Sequence, residues 1–452
     1  MKRNIQTLIT NAGYEKSNSR FIDILKFAGR MAKAGESDAA ILAGVQANFG
    51  PPPEKMQYRA KPLPFVMYGE PGVDFERGAV AQMRDAMSLP VATAGAMMPD
   101  AHPGYALPIG GVIALENAVS PSFVGYDIAC RMTLTILDLS PADFMAERLA
   151  LAEAMRAVSS FGKGAGFEGR EQRDHPVMDD PLWNELPPLK SLKPLAARQL
   201  GSSGGGNHFF DALVGEVVKD TGWLSLPKGT QFVALMTHSG SRGTGHKLAT
   251  HYVGLAERET RAIARGVPKG YEWLSTLSEA GQEYLAVMEL MGRYAQANHH
   301  LIHDLFLQRT GLSQLGRWEN HHNFAWVEGS QVIHRKGATP AGLGQVGIIP
   351  GSSGTASYIV EGLGDPASLN SSSHGAGRPF SRSEAKRRHD PAFVADWMRV
   401  HDILTFGLAP DEALTAYKDI DRVMALQTDL VKPVARLLPK VVIMGGQSDD
   451  GD

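Results

Sequence analysis

The spacing of apolar and polar positions divides the chain into two parts. Over residues 1–50 the apolar positions recur every three or four residues, which predicts helices. Ser37 and Asp38 precede a second apolar stretch and are expected to cap a helix over residues 39–47. A run of prolines then ends the pattern. Residues 1–60 are therefore predicted to be a helical N-terminal appendage with a Pro-rich connector.

After residue 60, short apolar runs alternate with glycine-rich turns, which is typical of buried strands joined by tight loops. The runs predicted to be strands are 91–98, 111–115, 132–137, 231–237, 331–334 and 347–349. Helical spacing occurs between them at residues 76–88, 142–158 and 278–308. The polar, proline-rich residues 163–200 are expected to form an irregular surface segment or an insert.

These elements predict an α+β protein. A single large domain is expected over residues 61–446, with a mixed β core flanked by helices. Residues 447–452 are expected to be a disordered tail, because they are short, polar and terminal.

Composition narrows the function. The chain has 452 residues, with 45 Lys and Arg against 48 Asp and Glu, so a general basic coat for nucleic acid is absent and any such site must be a local patch. One cysteine excludes an intramolecular disulfide and a Cys-only zinc site, and favours a reducing compartment. Neither a membrane-spanning apolar run nor a signal-peptide pattern is visible, so a cytoplasmic protein without a membrane partner is expected.

The residues that carry chemistry lie in glycine-rich loops at the ends of the apolar runs. Asp127 and Cys130 stand three positions apart just before a predicted strand, where both can point at one metal. A buried structural cysteine is the commoner outcome for this residue type. In the loop 201–211, glycines let backbone N–H groups approach an anion, and Asn207 and His208 stand beside them. A flexible turn is the alternative for that loop.

Two further loops have the same character. His238 follows an apolar run, which is a good ligand position, and Arg242 lies among serines and glycines that suit a phosphate cradle. The alternative for this loop is again a polar turn without a ligand. Adjacent His321 and His322 would point to opposite faces of a strand, so at most one of them is expected to be an inward ligand.

The last two candidate segments contain small residues. The loop 350–357 is suited to close contact with a nucleotide. His374 has small neighbours and is sterically open, so it can act as a nucleophile toward phosphorus, and Arg378 and Arg382 are spaced to face one phosphate. The combined set of carboxylate, thiolate, histidines and arginines favours a metal-dependent phosphoryl- or nucleotidyl-transfer enzyme.

The same stretches, in the same order, resemble the RtcB family of GTP-dependent 3′-phosphate RNA ligases. The resemblance extends over about residues 64–446. Its motifs are MPDAHPG at 98–104, VGYDIAC at 124–130, GNHF at 206–209, HSGSRG at 238–243, HRKGAT at 334–339, PGSSGTAS at 350–357 and HGAGR at 374–378.

The resemblance implies a metal site with two Mn²⁺ ions and a sequence of reactions. One ion would be bound by Asp127, Cys130 and His208, and the other by Cys130, His238 and His322, so that the thiolate bridges both. Only the resemblance indicates manganese, because thiolate and imidazole ligands favour softer metals. His374 would attack the α-phosphate of GTP and become guanylylated. The guanylate would pass to an RNA 3′-phosphate, opened first if it is a 2′,3′-cyclic phosphate, and an RNA 5′-hydroxyl would then displace GMP.

The resemblance also implies which residues surround the nucleotide. Asp100 matches a carboxylate near the metals, and Arg242, Arg378 and Arg382 match positions that meet phosphates. Those implied around the guanylate are Asn207, Phe209, Asp211, Asn323, Pro350, Gly351, Ser352, Ser353, Ser357, Gly375, Ala376 and Gly377. Some family members work with an archease-type activator, and the need for one here stays open.

Several positions depart from the family pattern. Ala129 and Arg131 flank the cysteine, where the family usually has Asn or Gly before it and Gly after it. At position 211 the family usually has Glu, and this chain has Asp. At position 299 the family has Arg, and this chain has His. The family typically ends in a Lys-Gly whose lysine contacts the guanylate, and Met444 stands there in this chain.

Three functions therefore stay open. The first is an RNA ligase in RNA repair or tRNA splicing. The second is a divergent nucleotidyltransferase that caps 3′-phosphate ends or uses another nucleotide without efficient sealing. The third is a non-catalytic protein that binds RNA ends.

Overall fold

A computed structural model of the protein describes residues 4–14, 20–51, 55–388 and 390–446. The predicted tail at 447–452 lies outside these residues. Thirteen α-helices occur in the described parts: α1 Ile5–Asn11, α2 Phe21–Lys33, α3 Asp38–Phe49, α4 Arg77–Met87, α5 Pro121–Val124, α6 Pro141–Val158, α7 Leu182–Glu185, α8 Pro187–Gln199, α9 Arg242–Ile263, α10 Glu279–Thr310, α11 Arg382–Arg388, α12 Pro391–Val400 and α13 Ile420–Ala425.

Nineteen strands occur in the same described residues. They are β1 Met56–Gln57, β2 Val66–Met67, β3 Ala92–His102, β4 Ile109–Glu116, β5 Ala118–Val119, β6 Arg131–Leu137, β7 Phe209–Val217, β8 Gln231–Ser239, β9 Ala264–Arg265, β10 Leu274–Ser275, β11 Gln314–His321, β12 Asn323–Glu328, β13 Gln331–Lys336, β14 Ala338–Pro340, β15 Val346–Ile349, β16 Ser357–Gly362, β17 Ser371–Ser373, β18 Leu404–Phe406 and β19 Val431–Met444.

The core contains two main sheets. The larger has eight strands, in the order β11-β6-β8-β7-β19-β16-β15, and β18 pairs with β19. Its pairs are antiparallel except for β18 with β19. The smaller has five strands in the order β12-β13-β4-β3-β2, of which only β2 and β3 run parallel. The predicted α+β fold with a mixed β core is confirmed.

The strands and long helices predicted from the apolar pattern are all present. The interpretation of residues 163–200 as an irregular surface segment is wrong, because α7 and α8 lie within it. Trp183, Leu189 and Ala196 of these helices are buried in the same apolar cluster as α9 and α10. The prolines misled the interpretation: Pro187 and Pro188 occupy the first helical turn of α8, where no backbone N–H is needed.

The three N-terminal helices bury an apolar cluster of their own, which includes Ile9, Ile24 and Ile41. Ser37 caps α3 as predicted, since its hydroxyl accepts a hydrogen bond from the N–H of Ala40 at 3.1 Å. The domain boundary near residue 60 stays a prediction. Among the described residues, no helix combines the length and the hydropathy that crossing a membrane requires.

The buried histidine of β13 predicts how stability changes with pH. Ser120 donates its backbone N–H to His334 Nε2 at 2.9 Å, and His334 Nδ1 lies 3.1 Å from the carbonyl of Val332, so the neutral ring is held on both sides. Burial lowers the pKa of His334 to about 4, although two backbone hydrogen bonds raise it. In the unfolded chain the pKa is about 6.5.

We therefore expect the free energy of unfolding to fall as the pH drops from about 6.5 to about 4, because only the unfolded chain takes up this proton. In His334→Gln, the slope of unfolding free energy against pH should be smaller in this window by up to about 1.4 kcal/mol per pH unit. Urea unfolding at several pH values between 4.5 and 7.5 measures the slope. Equal slopes in the two proteins would show that His334 has the same pKa in the folded and the unfolded protein.

Candidate metal centre and active site

Four strands of the large sheet bring the predicted metal ligands together. Cys130 immediately precedes β6, His208 immediately precedes β7, and His238 lies near the end of β8. These three strands are neighbours, with Met132 and Phe209 both opposite His238 in register. His322 directly follows β11, which pairs with β6 at the edge of the sheet. Strand pairing therefore places at one end of the sheet residues that are far apart in sequence.

The ligand atoms form two overlapping groups. One comprises Asp127, Cys130 and His208, the other Cys130, His238 and His322, and within each group the atoms lie within 4.8 Å of one another. Cys130 Sγ lies 3.1 Å from His238 Nε2 and 3.5 Å from His208 Nε2. His208 Nε2 is 3.1 Å from Asp127 Oδ2, and His238 Nε2 is 3.1 Å from His322 Nε2. Cys130 is common to both groups.

The donor set fits a cation. His238 Nδ1 lies 2.9 Å from the carbonyl oxygen of Asn207 and donates its proton there, so Nε2 carries the lone pair. That lone pair faces the sulfur of Cys130 and a ring nitrogen of His322. Electron-rich atoms converging at this distance repel one another unless a positive ion, or a proton, lies between them. Carboxylate, thiolate and imidazole together are ligands for a transition metal or zinc.

The electrostatics agree with neutral imidazoles in this cluster. Burial lowers the pKa of His238 and of His322 well below the usual range, and neighbouring histidines lower each further. Burial raises the pKa of Asp127, but its hydrogen bond with His208 and the neighbouring histidines outweigh this, and its pKa lies below the usual value. These directions favour neutral imidazoles at His238 and His322 and an ionised carboxylate at Asp127.

Two glycines are required by close approach to the ligands. A Cβ at position 204 would lie 2.0 Å from His208 Nδ1, and one at position 240 would lie 2.1 Å from Asp127 Oδ1. Any side chain at either position would displace a ligand. The glycine-rich loops seen in the sequence are therefore required here because the absence of side chains leaves room for the ligand side chains.

Two non-glycine residues beside the cluster have left-handed backbone conformations. Ala129, directly before Cys130, has φ +58°, and Arg242 has φ +59°. Such conformations cost about 1–2 kcal/mol for residues with a Cβ. They occur where surrounding structure determines the backbone, which is common at functional sites. At Ala129 the family's usual Asn or Gly would adopt this conformation more easily.

Helix α10 holds the two ligand loops in place. Its buried Asn298 accepts a hydrogen bond from the N–H of Gly201 at 2.8 Å and donates one to the carbonyl of Gly240 at 3.1 Å. One side chain therefore joins the loop before His208 to the loop after His238. Asn298 was given no role from the sequence. The available signal was a polar side chain on the otherwise apolar face of a long helix.

A buried chain of hydrogen bonds continues from α10 into the sheet. Thr237 Oγ1 lies 2.5 Å from His299 Nδ1 and 2.8 Å from His303 Nε2. The other nitrogen of His303 lies 2.8 Å from Thr135 Oγ1, and His299 Nε2 donates to the carbonyl of Ser239 at 3.1 Å. Burial lowers the pKa of His299 to about 3. These contacts tie α10 to β6, which directly follows Cys130, and to β8, which contains His238.

His374 lies next to this cluster. The centroid of its ring is 4.9 Å from that of His322. Asp100 Oδ2 lies 2.6 Å from His374 Nδ1 and also accepts the backbone N–H groups of His374 and Gly375. Because the contact with Asp100 occupies Nδ1, Nε2 is the nitrogen that can attack a substrate. The Asp100 side chain is completely buried and His374 is 15% exposed, so the ring is both held and accessible.

The small residues around His374 are sterically required. Gly377 has φ +73°, and a Cβ there would lie 2.2 Å from the carbonyl oxygen of Asp100. Gly337 has φ +58°, and a Cβ there would lie 2.2 Å from Ile109 and 3.1 Å from His374 Cε1. Ala376 is buried in an apolar cluster behind the loop. These positions therefore shape the loop that carries the imidazole.

The loop 350–357, which is predicted to contact the nucleotide, lies beside the loop that carries His374. A Cβ at Gly375 would lie 3.3 Å from the carbonyl oxygen of Pro350. Ser357 accepts the N–H of Gly351 at 3.1 Å, and Thr355 accepts that of Ser352 at 2.8 Å. These hydrogen bonds hold the turn tightly against β16.

Other predicted nucleotide residues have structural contacts here. Ser353 donates to the carbonyl of Glu412 at 3.2 Å, and Asn323 accepts the N–H of Gly337 at 2.9 Å. Asp211 is buried in β7, and burial raises its pKa well above the usual range against one backbone hydrogen bond. Their contacts with a guanylate stay predictions.

The three predicted phosphate-binding arginines all have protein partners. Arg242 is buried and donates to Ser202 at 3.1 Å and to the carbonyl of Gly162 at 2.7 Å. Arg378 and Arg382 do face one common group, but that group is the buried carboxylate of Glu412 rather than open space. A phosphate that binds Arg378 or Arg382 must compete with this carboxylate.

The C-terminal strand β19 has an apolar residue, Met444, at the position where the family has a lysine. Met444 is opposite Phe209 in register and lies in a cluster with Val394 and Met398 of α12. Lys440 does not replace the lysine, since its Nζ donates at 3.0 Å to the carbonyl of His401, the C-cap residue of α12. Trp397 of α12 also donates to Gly354 of the nucleotide loop at 3.1 Å. The sequence analysis missed Trp397, which only the fold brings to this loop.

A family model described as tRNA-splicing ligase RtcB matches residues 82–184 and 189–445. The chain belongs to the RtcB family. The RNA-splicing ligase RtcB of Escherichia coli (strain K12) is 31% identical over 406 residues, which cover 83% of this chain and 96% of that protein. The RNA-splicing ligase RtcB of Mycobacterium tuberculosis (strain ATCC 25618 / H37Rv) is 31% identical over 436 residues, covering 80% of this chain and 100% of that protein.

A third relative is archaeal. The tRNA-splicing ligase RtcB of Pyrobaculum aerophilum is 30% identical over 424 residues, covering 77% of this chain and 87% of that protein. The family membership predicted from the motifs is confirmed. The N-terminal helices α1–α3 precede the segment that the RtcB family model matches.

The overlap of the two ligand groups predicts how metal content responds to substitution. In the purified RtcB-family protein, His208→Ala should lose one of about two bound divalent ions and His322→Ala the other, because each histidine serves one group. Cys130→Ser should weaken both, since its sulfur is shared. Elemental analysis after dialysis under reducing conditions measures the content, with the exposed His251→Ala as control. Equal metal loss in His208→Ala and Cys130→Ser would contradict the shared thiolate.

Proposed function

We propose that this protein is an RNA ligase that joins a 3′-phosphate or 2′,3′-cyclic phosphate end to a 5′-hydroxyl end, with GTP as co-substrate, in RNA repair or tRNA splicing. The observation that carries the proposal is the position of His374, oriented by Asp100 and adjacent to His322 of the metal cluster. The names of the relatives, RNA- or tRNA-splicing ligases, support RNA as the substrate.

The first step is a nucleotidyl transfer to His374. Its Nε2 attacks the α-phosphate of GTP, the N–P bond forms, and the bond to the β-phosphate oxygen breaks so that pyrophosphate leaves. Positive charge develops on the ring as the bond forms. The carboxylate of Asp100, 2.6 Å from Nδ1, stabilises that charge and keeps the ring oriented.

The guanylate is then transferred and released. An oxygen of the RNA 3′-phosphate attacks the phosphorus, and the N–P bond breaks to return its electrons to His374. The RNA 5′-hydroxyl then attacks the activated 3′-phosphate, and GMP leaves. Asp127, Cys130, His208, His238 and His322 would hold two divalent ions, Mn²⁺ by family resemblance, which stabilise negative charge on the transferring phosphate when bound.

Adduct formation tests the nucleophile. Incubation with a divalent ion and GTP labelled at the α-phosphate should give a covalent guanylate on the wild-type protein, and none on His374→Ala, because that variant lacks the nucleophilic nitrogen. His251→Ala is the matched histidine control and should label like wild type. An unlabelled wild-type protein, or a labelled His374→Ala, would refute the proposed intermediate.

Asp100 is expected to act through His374 as a positioning residue. In Asp100→Asn the neutral amide is a weaker acceptor and does not balance the positive charge that develops on the ring, so the rate of adduct formation should fall about 100-fold or more. Metal content should be unchanged, since Asp100 belongs to neither ligand group. A rate within threefold of wild type would contradict this role.

The second candidate, a nucleotidyltransferase with another nucleotide preference, is supported by the apolar surroundings of Met444 and by Lys440 pointing away. Adduct formation with GTP, ATP, CTP and UTP in parallel distinguishes the two. We expect GTP to label best under the first proposal. Preferential labelling by another nucleotide, with little sealing of RNA, would favour the second.

A further inference from the structure

A cavity of about 560 Å³ lies beside the His374 loop, and the proposed ligation chemistry gives it no role. Its walls come from the turn 72–77 at the start of α4, from Pro99 in β3, from Pro379, and from the beginning of α13. A volume of this size suits a small ligand or one unit of a larger one.

The cavity is joined directly to the residues that position His374. Pro99 precedes Asp100 in the chain, and Pro379 follows Arg378. Lys418 donates its backbone N–H to Gly377 at 3.0 Å and its Nζ to the carbonyl of Ala101 at 2.6 Å. One wall of the cavity is therefore built from the same segments as the loop of the nucleophile.

Positively charged groups on its rim are available to an anion. Arg77 is exposed in the first turn of α4 and forms no ion pair among the residues that the structure describes. Arg422 contacts Asp74 through Nε at 3.1 Å, but its side chain is still 56% exposed. A phosphate at this rim would therefore meet two guanidinium groups.

A carboxylate completes the lining. Glu76 lies at the N-cap of α4 but makes no capping hydrogen bond with its side chain. Its side chain lines the cavity, and its Oε2 has no hydrogen-bond partner among the described residues. Because that oxygen is shielded from solvent, a ligand hydroxyl reaches it only when the side chain turns toward the cavity. Burial raises the pKa of Glu76, while Lys418 and its own backbone N–H lower it. Such a carboxylate is an acceptor suited to a hydroxyl donor of a ligand.

We propose that this cavity binds one ribonucleotide of the RNA substrate close to the join, with a phosphate on Arg77 and Arg422 and the ribose 2′-hydroxyl donating to Glu76. A ribonucleotide combines the two chemistries that the lining offers, an anion for the guanidinium groups and a hydroxyl for the carboxylate. This inference rests on the proposed RNA ligation. It adds a site at which RNA is distinguished from DNA, because the 2′-hydroxyl is the group that DNA lacks.

The first test separates the cavity from the nucleotidyl transfer. Arg77→Ala should raise the KM for RNA in sealing by about fivefold and reduce its salt dependence, because a phosphate contact is lost. Adduct formation with GTP, which needs no RNA, should be unchanged. Arg84→Ala is the matched control, since Arg84 is exposed on the same helix outside the cavity.

The second test examines the hydroxyl contact. Sealing is measured with RNAs that carry a single 2′-deoxynucleotide at successive positions near the join. One position should raise the KM of the wild-type protein by about tenfold, and the same substitution should have no effect in Glu76→Ala, because that variant has no side-chain acceptor for the hydroxyl. Adduct formation by Glu76→Ala should match that of wild type.

Each outcome decides a different point. If wild type seals RNA but Arg77→Ala behaves like Arg84→Ala, or if every deoxy substitution acts equally in wild type and Glu76→Ala, the cavity assignment is refuted and the ligase function stands. If Arg77→Ala instead raises the KM for GTP in adduct formation, the cavity takes free nucleotide and the assignment to RNA is wrong. If wild type seals no RNA, the proposed function fails and the cavity assignment fails with it.

Discussion

The structure depends on one constraint above all: four electron-rich side chains must converge on the sulfur of Cys130. Its Sγ lies 3.1 Å from one histidine nitrogen and 3.5 Å from another. Such an arrangement is stable only with positive charge between the donors, and only if the backbone delivers every ligand to the same end of the sheet. The pairing of β6, β7, β8 and β11 meets this condition, and the absence of side chains at Gly204 and Gly240 gives the ligands room.

Rigidity around the cluster comes from polar groups that are buried and paired. Asn298 joins the loops before His208 and after His238, and the histidines of α10 hold the strands behind them. A buried polar group without a partner costs free energy, so a completed network favours one arrangement of the loops over others. The left-handed backbone at Ala129 is held by a different contact, since its N–H donates to the carbonyl of Asn323 at 2.8 Å.

The positive charges of Arg378 and Arg382 are balanced within the protein itself. Arg378 and Arg382 share the buried carboxylate of Glu412, so their charges are compensated before any substrate binds. This compensation avoids leaving guanidinium groups buried and unpaired, which would cost several kcal/mol. Phosphate binding there requires an exchange of partners, whereas Arg77 at the neighbouring cavity is exposed to solvent. The two sets of cations are thus suited to different parts of a long polyanionic substrate.

The sequence alone determined the family and predicted the residue types of the candidate metal ligands, because both rest on local motifs. It also predicted the main strands and helices, since burial imposes a period of two or of 3.6 residues on each element. It failed at residues 163–200, where prolines in a first helical turn were taken as breakers. It also could not show that Arg378 and Arg382 face Glu412, that Trp397 reaches Gly354, or that Lys440 points away from Met444. Only the tertiary structure decided these, because each depends on which distant segments the sheet order brings into contact.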